Sequence, residues 1–271
     1  MEPLFLQPVF QEKIWGGDQL HTVFGFDIPN DKIGEDWAIS GHPHGVSIVE
    51  NGPYKGWKVS DLWNEHRELF GKAEGDVFPL LTKILDAEDD LSVQVHPDDS
   101  YGLKHEGELG KTECWYIINA KPGSEIVYGH NAKSREELAE MIENERWDDL
   151  LRRVSVKKGD FFYVPSGTIH AIGKGIMILE TQQSSDTTYR VYDYDRKDDH
   201  GNTRELHIQQ SIDVTTVPAI SPELEVTEKK KGTSSVITYL KTDFFNVYEW
   251  DVIGELSLKK EGDYTLVTVV E

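Results

Sequence analysis

Residues 159–170 read GDFFYVPSGTIH, and the fold turns on this stretch. Gly159 and Asp160 make a turn, and Phe161 to Val164 supply the aromatic and β-branched residues of a strand. Pro165-Ser166-Gly167 make a second tight turn that delivers His170 onto the next strand. A lone His after a turn is usually structural or exposed, so His170 takes its meaning from its company. Outward from this unit the chain reads much the same way. Leu91 to His96, Cys114 to Ile118, Ile176 to Leu179 and Tyr189 to Tyr194 are short runs of strand-forming residues. Turns such as Lys121-Pro122-Gly123, Lys158-Gly159-Asp160 and Gly173-Lys174-Gly175 punctuate them. Many short strands without regular strand-helix alternation predict a mainly β protein, a barrel or sandwich with helical insertions.

Two helices interrupt this pattern. The spacing predicts one from Arg135 to Arg153, opened by a capping box of Ser134 and Glu137, with Leu138, Met141 and Ile142 on one face and Leu150 and Leu151 further along. A second begins near Ser60, where Leu62, Trp63, His66, Leu69 and Phe70 form an apolar stripe. The run at 79–86, PLLTKILD, is apolar throughout, and periodicity does not assign its type. From Pro218 to Pro222 the chain turns loop-like and leads into the charged stretch Glu228 to Lys231. Val236 to Tyr239, Phe245 to Trp250, Leu256 to Leu258 and Tyr264 to Val270 then read as a second, smaller β-unit. We therefore expect a barrel with helical insertions over residues 1–215 and a C-terminal β-unit over 216–271, still reading as strand where it stops.

Composition narrows the function. Of 271 residues, 38% are hydrophobic, enough for a buried core. The 28 Lys and Arg against 49 Asp and Glu give −21, a surface that repels phosphodiester backbones and anionic headgroups. Nucleic acid and membranes are thereby excluded as partners. No apolar run approaches the roughly 18 residues needed to span a bilayer, and Met1-Glu2-Pro3-Leu4 lacks the basic and apolar segments of a signal peptide. A soluble, cytoplasmic protein is expected. The single cysteine, Cys114, allows no intrachain disulfide and no cysteine-based zinc knuckle.

In the strand 91–96, LSVQVH, Leu91, Val93 and Val95 share one face and Ser92, Gln94 and His96 the other. A polar face usually meets solvent; alternatively, Gln94 and His96 at i and i+2 point into one cavity, as a strand presents two metal ligands. Glu113 sits at the start of an apolar strand and is either a solvated end or an inward carboxylate that needs a cation. Lys111, two residues earlier, can emerge on the same side. The strand from Tyr189 to Arg196 alternates too, placing Arg190, Tyr192, Tyr194 and Arg196 on one face, which as a bland alternative is a solvent-facing ribbon.

The spacing Gly-x5-Pro-x-Gly-x2-His of 159–170 resembles the second signature motif of the cupin superfamily, small jelly-roll β-barrels. The first cupin motif normally reads His-x-His followed closely by Glu; here it stands as Gln94-x-His96, with the Glu delayed to position 113 by the insertion Pro97 to Thr112. The combination resembles the type I mannose-6-phosphate isomerases (phosphomannose isomerases) in their short bacterial form. Trp15-Gly16-Gly17, Gln94-Val95-His96-Pro97-Asp98-Asp99 and Gly110-Lys111-Thr112-Glu113 carry that likeness, with Pro165 to Ala171 and Ser185-Asp186-Thr187-Thr188-Tyr189-Arg190 following in family order. It implies a jelly-roll barrel, Gln94, His96, Glu113 and His170 as ligands of one zinc ion per chain, and Arg190 as the catalytic arginine. Lys111, Ser92 and Lys83 match positions near the substrate. Members of this short form usually continue beyond the point where this chain stops, so the C-terminal unit is expected to be incomplete.

Two imidazoles, a carboxylate and an amide oxygen suit Zn²⁺ with positions open for substrate or water. Zinc is redox-inert and fits an isomerisation, in which protons move without net oxidation. We expect interconversion of mannose 6-phosphate and fructose 6-phosphate through an enediol(ate), with zinc and Arg190 stabilising the developing charge. Arg190, always cationic, is no base; a zinc-held water or a nearby carboxylate fills that role. Lys111 and another cation would hold the phosphate, locally reversing the acidic field. The same ligand set also fits non-haem Fe²⁺ in a cupin oxygenase, and a third class is a non-catalytic sugar-binding cupin. No residue pattern fixes an oligomeric state.

Overall fold

The computed structural model describes residues 2–71, 73–198, 200–259 and 262–271. Strands and helices are numbered along the chain. One sheet orders β1 (Phe10–Gly17), β2 (Ile33–Ser40), β3 (Leu80–Ala87), β10 (Ile176–Gln183), β5 (Glu113–Ala120) and β8 (Phe161–Val164). A second orders β11 (Tyr189–Tyr192), β4 (Val93–Val95), β9 (His170–Ile172), β6 (Glu125–His130) and β7 (Leu151–Ser155). The pairings of both sheets are antiparallel. The chain is thus mainly β, two sheets facing one interior with helices added outside, as expected for a jelly roll. The ambiguous 79–86 run is β3, which lies between β2 and β10 and is buried on both faces. That is why its apolar residues show no alternation.

The interior has an apolar end and a polar end. At the apolar end Leu85, Trp115, Ile117 and Ile178 of the first sheet meet Ile126 and Ile172 of the second. Each such side chain contributes about 1.5–3 kcal/mol on leaving water. The outer face of the second sheet, through Val93, Val95, Val127 and Val191, is covered by helices. These are α4 (Arg135–Glu143), α5 (Trp147–Leu150) and α6 (Ile208–Val214). Leu91 does not share that face, contrary to the alternation expected: it precedes β4 and joins the interior cluster.

The helix expected over 135–153 is split. Ser134 caps α4 through a 3.2 Å bond from the Glu137 amide, but the Glu137 carboxylate turns back to the amide of Lys133, not to that of Ser134. After Glu143 the chain closes with Arg146 N–H on the Met141 carbonyl and Glu145 N–H on that of Ile142, and Glu145 has φ 53°. This is a Schellman stop with Glu where glycine is usual, so the sequence carries no visible terminator. Leu151 to Arg153 then belong to β7. The second predicted helix is α2 (Val59–Glu65), continued by a 3₁₀ turn at Arg67–Phe70, and it packs Leu62, Trp63 and Phe70 on Phe78.

A third sheet, β12 (Thr227–Lys231), β13 (Ser234–Lys241) and β14 (Asn246–Asp251), lies on the outer face of β5 and β8. There Tyr239 stacks on Phe161 at 4.5 Å. The charged stretch read as a lead-in is therefore strand β12, an edge whose lysines discourage pairing with another chain. Leu256 to Leu258 and Tyr264 to Val270 are not strands. Tyr264 and Leu266 instead pack on the Trp63 cluster, and Val270 packs near Ile84 and Met177. No helix among the described residues is long and apolar enough to cross a membrane.

Candidate metal centre

Cross-strand pairing assembles the polar end of the interior. In the second sheet Arg190 of β11 pairs with Gln94 of β4, which pairs with His170 of β9. In the first sheet Trp115, Glu180, Lys83 and Trp37 form one row across β5, β10, β3 and β2. Partners in a row share a face, and Glu113 lies two residues before Trp115 on that same face. His170 arrives by the turn after β8. Gly167 there has φ +81°, its amide donates to the His96 carbonyl at 2.8 Å, and a Cβ on it would stand 2.4 Å from Thr216 Oγ1. Only glycine meets all of this.

His96 and His170 are each 1% exposed and Glu113 is 0% exposed; on the polar face of 91–96 Ser92 and His96 are buried and Gln94 is half-buried, so that face turns inward. One donor atom from each of the three lies within 4.8 Å of the others. His96 Nε2 is 3.5 Å from Glu113 Oε2, and His170 Nε2 is 3.4 Å from Oε1. His96 Nδ1 contacts the Thr187 carbonyl at 2.9 Å and His170 Nδ1 that of Thr168 at 2.8 Å. A carbonyl only accepts, so each neutral ring carries its proton on Nδ1 and presents an Nε2 lone pair to the cluster. Burial keeps both rings neutral, reinforced by the Lys111 ammonium: His170 is held down to about 4 and His96 well below the usual range.

Lys111 Nζ lies 3.3 Å from Glu113 Oε2 and 3.2 Å from His96 Nε2. Burial works against its charge, but Glu113 and Glu180 outweigh that and hold the ammonium above the ordinary lysine range. Trp115 Nε1 is shared between Glu113 Oε1 at 3.1 Å and Glu180 Oε2 at 3.0 Å. Lys83 Nζ lies 3.8 Å from Glu180 and 3.5 Å from Glu35. Burial disfavours an ionised Glu35, yet Lys83 and Lys13 overcome it and hold the carboxyl at about 2. Burial, with Glu113 nearby, pushes Glu180 up.

These residues fit a divalent cation. Glu113 Oε2 is fully buried and accepts no hydrogen bond; the Lys111 ammonium 3.3 Å away offsets its charge but leaves lone-pair capacity that a metal ion can take up. Two imidazole lone pairs face the same carboxylate, and backbone carbonyls orient both rings as is usual for metal-ligating histidine. Formal charges agree, since buried Glu35, Glu113 and Glu180 against Lys83 and Lys111 leave −1.

Of the residues named from sequence, His96, Glu113, His170, Gln94 and Lys111 converge here, with Gln94 Nε2 3.3 Å from His170 Nε2. Lys83 joins through Glu180 and Trp115. Ser92 Oγ accepts from Arg190 Nε at 3.3 Å, and an Arg190 terminal nitrogen donates to the Glu205 carbonyl at 2.8 Å. The expected face of Arg190, Tyr192, Tyr194 and Arg196 does not form. β11 ends at Tyr192, Tyr194 and Asp195 take φ of 58° and 52°, and Arg196 turns to Asp193 at 2.9 Å. Tyr192 stacks on Trp147 at 4.5 Å. Sequence reasoning missed Glu35 and Glu180. Carrying the 176–179 strand one residue further would have put Glu180 on the face of Ile178. A 190 Å³ cavity lined by Asp90, Val127, Arg153, Ala171, Lys174 and Tyr194 shares no residue with the cluster.

Residues 4–118 match the family model described as "Phosphomannose isomerase type I, catalytic domain". The chain is 59% identical over 269 residues to the mannose-6-phosphate isomerase of Streptococcus mutans, covering 99% of this chain and 85% of that protein. It is 57% identical over 271 residues to the mannose-6-phosphate isomerase ManA of Bacillus subtilis, covering 100% and 86%. A crystal structure of the mannose 6-phosphate isomerase from Bacillus subtilis superposes with a TM-score of 0.92 at 54% identity, covering 94% of this chain and 81% of that one.

Proposed function

Since this chain belongs to the type I phosphomannose isomerases, we propose that it interconverts mannose 6-phosphate and fructose 6-phosphate with one zinc ion held by His96, Glu113 and His170. The observation that carries the metal reading is the buried Glu113 carboxylate facing two imidazole lone pairs with one oxygen unsatisfied. Gln94 is the fourth proposed ligand. Its amide lies beside the His170 Nε2, and turned about its last bond it would offer its oxygen to the same point.

Aldose–ketose isomerisation removes a proton beside a carbonyl and returns it to the neighbouring carbon. A bound divalent zinc ion supplies Lewis-acid stabilisation of the negative oxygen that develops. The chain's own residues do the rest. Arg190, proposed as the catalytic arginine, stands on the inward row beside Gln94 and adds a permanent positive charge for the enediol(ate). Its contacts with Ser92 and Glu205 fix the guanidinium before substrate arrives. Lys111, Ser92 and Lys83 are the proposed substrate contacts. Lys111 and Lys83 lie within a buried ladder of carboxylates that keeps each side chain in place.

A coupled assay of mannose 6-phosphate conversion, run before and after chelation, tests this reading. We expect about one zinc per chain, activity lost on chelation and restored by zinc. Iron with oxygen uptake would favour an oxygenase, and metal binding without turnover a sugar-binding protein. Arg190→Ala is expected to retain the metal and lose at least about a hundredfold in turnover, as for loss of one oxyanion-stabilising donor. Normal turnover by that variant removes Arg190 from the mechanism.

A further inference from the structure

Glu108 lies between α3 (Asp99–His105) and β5, three residues before Lys111, and no signal in the sequence singles it out. Its Oε2 accepts from Ser185 Oγ at 3.2 Å, the Asp186 amide at 3.1 Å and Thr187 Oγ1 at 3.0 Å. Its Oε1 is 3.3 Å from His42 Nε2. An ionised carboxylate offers about four acceptor sites, so this one is saturated. Three of its partners belong to the segment Ser185–Thr187 that joins β10 to β11. The Thr187 carbonyl of that segment takes the Nδ1 proton of His96 at 2.9 Å.

We propose that Glu108 is a positioning residue for His96: by clamping Ser185–Thr187 it fixes the carbonyl that sets the tautomer and orientation of the imidazole. The proposal rests on the reading of His96 as a metal ligand. Without the clamp the segment loses three hydrogen bonds at once. Besides the His96 bond itself it keeps only Gln182 on the Ser185 carbonyl and His44 on Asp186 as side-chain ties to other elements among the described residues, so the Thr187 carbonyl is held less firmly against the His96 ring. A ring able to turn presents Nε2 to the cluster only part of the time, which weakens metal binding while leaving all three ligands present. A purely structural tie between loops would lower stability without selectively lowering metal affinity.

The test is a zinc titration of the metal-stripped full chain against a chromophoric chelator, with thermal melts alongside. Partners that orient ligating histidines set metal affinity by about 10–100-fold. Because Glu108 acts through a backbone carbonyl, we expect Glu108→Ala to weaken zinc binding about tenfold, at the low end of that range. Glu108→Gln keeps an amide oxygen for the Ser185–Thr187 donors and should return to within about threefold of wild type. Should Glu108→Ala fail to fold, Thr187→Val decides, since it removes one donor to Glu108 and keeps the carbonyl: a fall of about threefold supports the clamp. Wild-type zinc affinity in Glu108→Ala, or in Thr187→Val where that variant decides, overturns it. So does a Gln variant as weak as the Ala variant. A wild-type chain that binds no zinc overturns the metal reading and the clamp together, whereas tight binding by both wild type and Glu108→Ala overturns the clamp alone.

Discussion

Replacing Glu113 by Gln takes one charge from the centre of the site and keeps its shape. The carboxylate stands 3.3 Å from the Lys111 ammonium, a separation at which two unit charges attract by about 5 kcal/mol at an effective dielectric near 20. Lys111 is 5% exposed and cannot recover its hydration by turning outward. Removing one member of such a buried pair costs about 3–5 kcal/mol. Glu180 also supports the Lys111 charge and remains in the variant, which puts the expected loss near the low end, about 3 kcal/mol. Urea denaturation of metal-stripped wild type and variant at pH 7 isolates this ion-pair contribution from any metal effect. The pH dependence has a defined sign. A lysine held above its ordinary value of 10.5 contributes its full stability below that pH and loses it as the pH rises through the folded value. The difference between the two proteins should therefore be complete at pH 7 and shrink in strong alkali. Loss of the only anionic ligand should also abolish stoichiometric zinc uptake. Equal stability of the stripped proteins would refute the ion pair, and undiminished zinc binding would refute the ligand.

Two further substitutions probe the frame around the site. Asp36 is 1% exposed with Oδ1 unbonded, and burial pushes its carboxyl up from 3.8 to about 7, so it destabilises the fold increasingly as the pH rises from 4 to 7. That is worth about 4 kcal/mol at pH 8; less about 1–3 kcal/mol for an unmet amide N–H, Asp36→Asn should be stabilised by about 1–3 kcal/mol at pH 8 and lose that advantage near pH 4, and parallel pH profiles in urea would contradict this. Gly167→Ala places a Cβ 2.4 Å from Thr216 Oγ1 at φ +81°, and we expect a loss of about 2–4 kcal/mol with weakened zinc binding. An unchanged melting temperature would show that the turn carrying His170 tolerates a side chain.

What could be read from the sequence is what local chemistry encodes. The turn-strand-turn unit at 159–170 forms β8 as expected, and Pro165-Ser166-Gly167 puts His170 at the first position of β9. Gln94 and His96, set two residues apart, do share an inward face. Glu145 shows the limit: a left-handed Glu ends α4 where no glycine announces it, and Leu151 passes from a helix face to a strand. Glu35 and Glu180 were not legible as site residues for another reason. Each lies in a run that looks apolar or mixed on its own, and only the pairing of β2, β3, β10 and β5 makes the ladder Glu35–Lys83–Glu180–Trp115–Glu113. Such rows join residues more than a hundred positions apart, and no periodicity within one strand contains them. The C-terminal run Tyr264 to Val270 has the alternation of a strand, yet it buries its alternate side chains on Trp63 and Ile84 with no ladder partner among the described residues.

The acidity of the chain and the chemistry of the site act over different ranges. A net −21 spread over the molecule is screened beyond about 8 Å at physiological ionic strength. A sugar phosphate at the mouth therefore meets only the few charges within that distance. The buried set there is formally −1, from three carboxylates against two ammonium groups, and its members interact at a lower dielectric than the surface. A dication between His96, Glu113 and His170 would make it +1, with the Arg190 guanidinium added from the facing strand. The three carboxylates are then best understood as local counter-charges. Glu113 and Glu180 hold the Lys111 ammonium charged, and Glu35 and Glu180 fix Lys83 in the interior, so that positive charge is already in place when an anionic substrate enters.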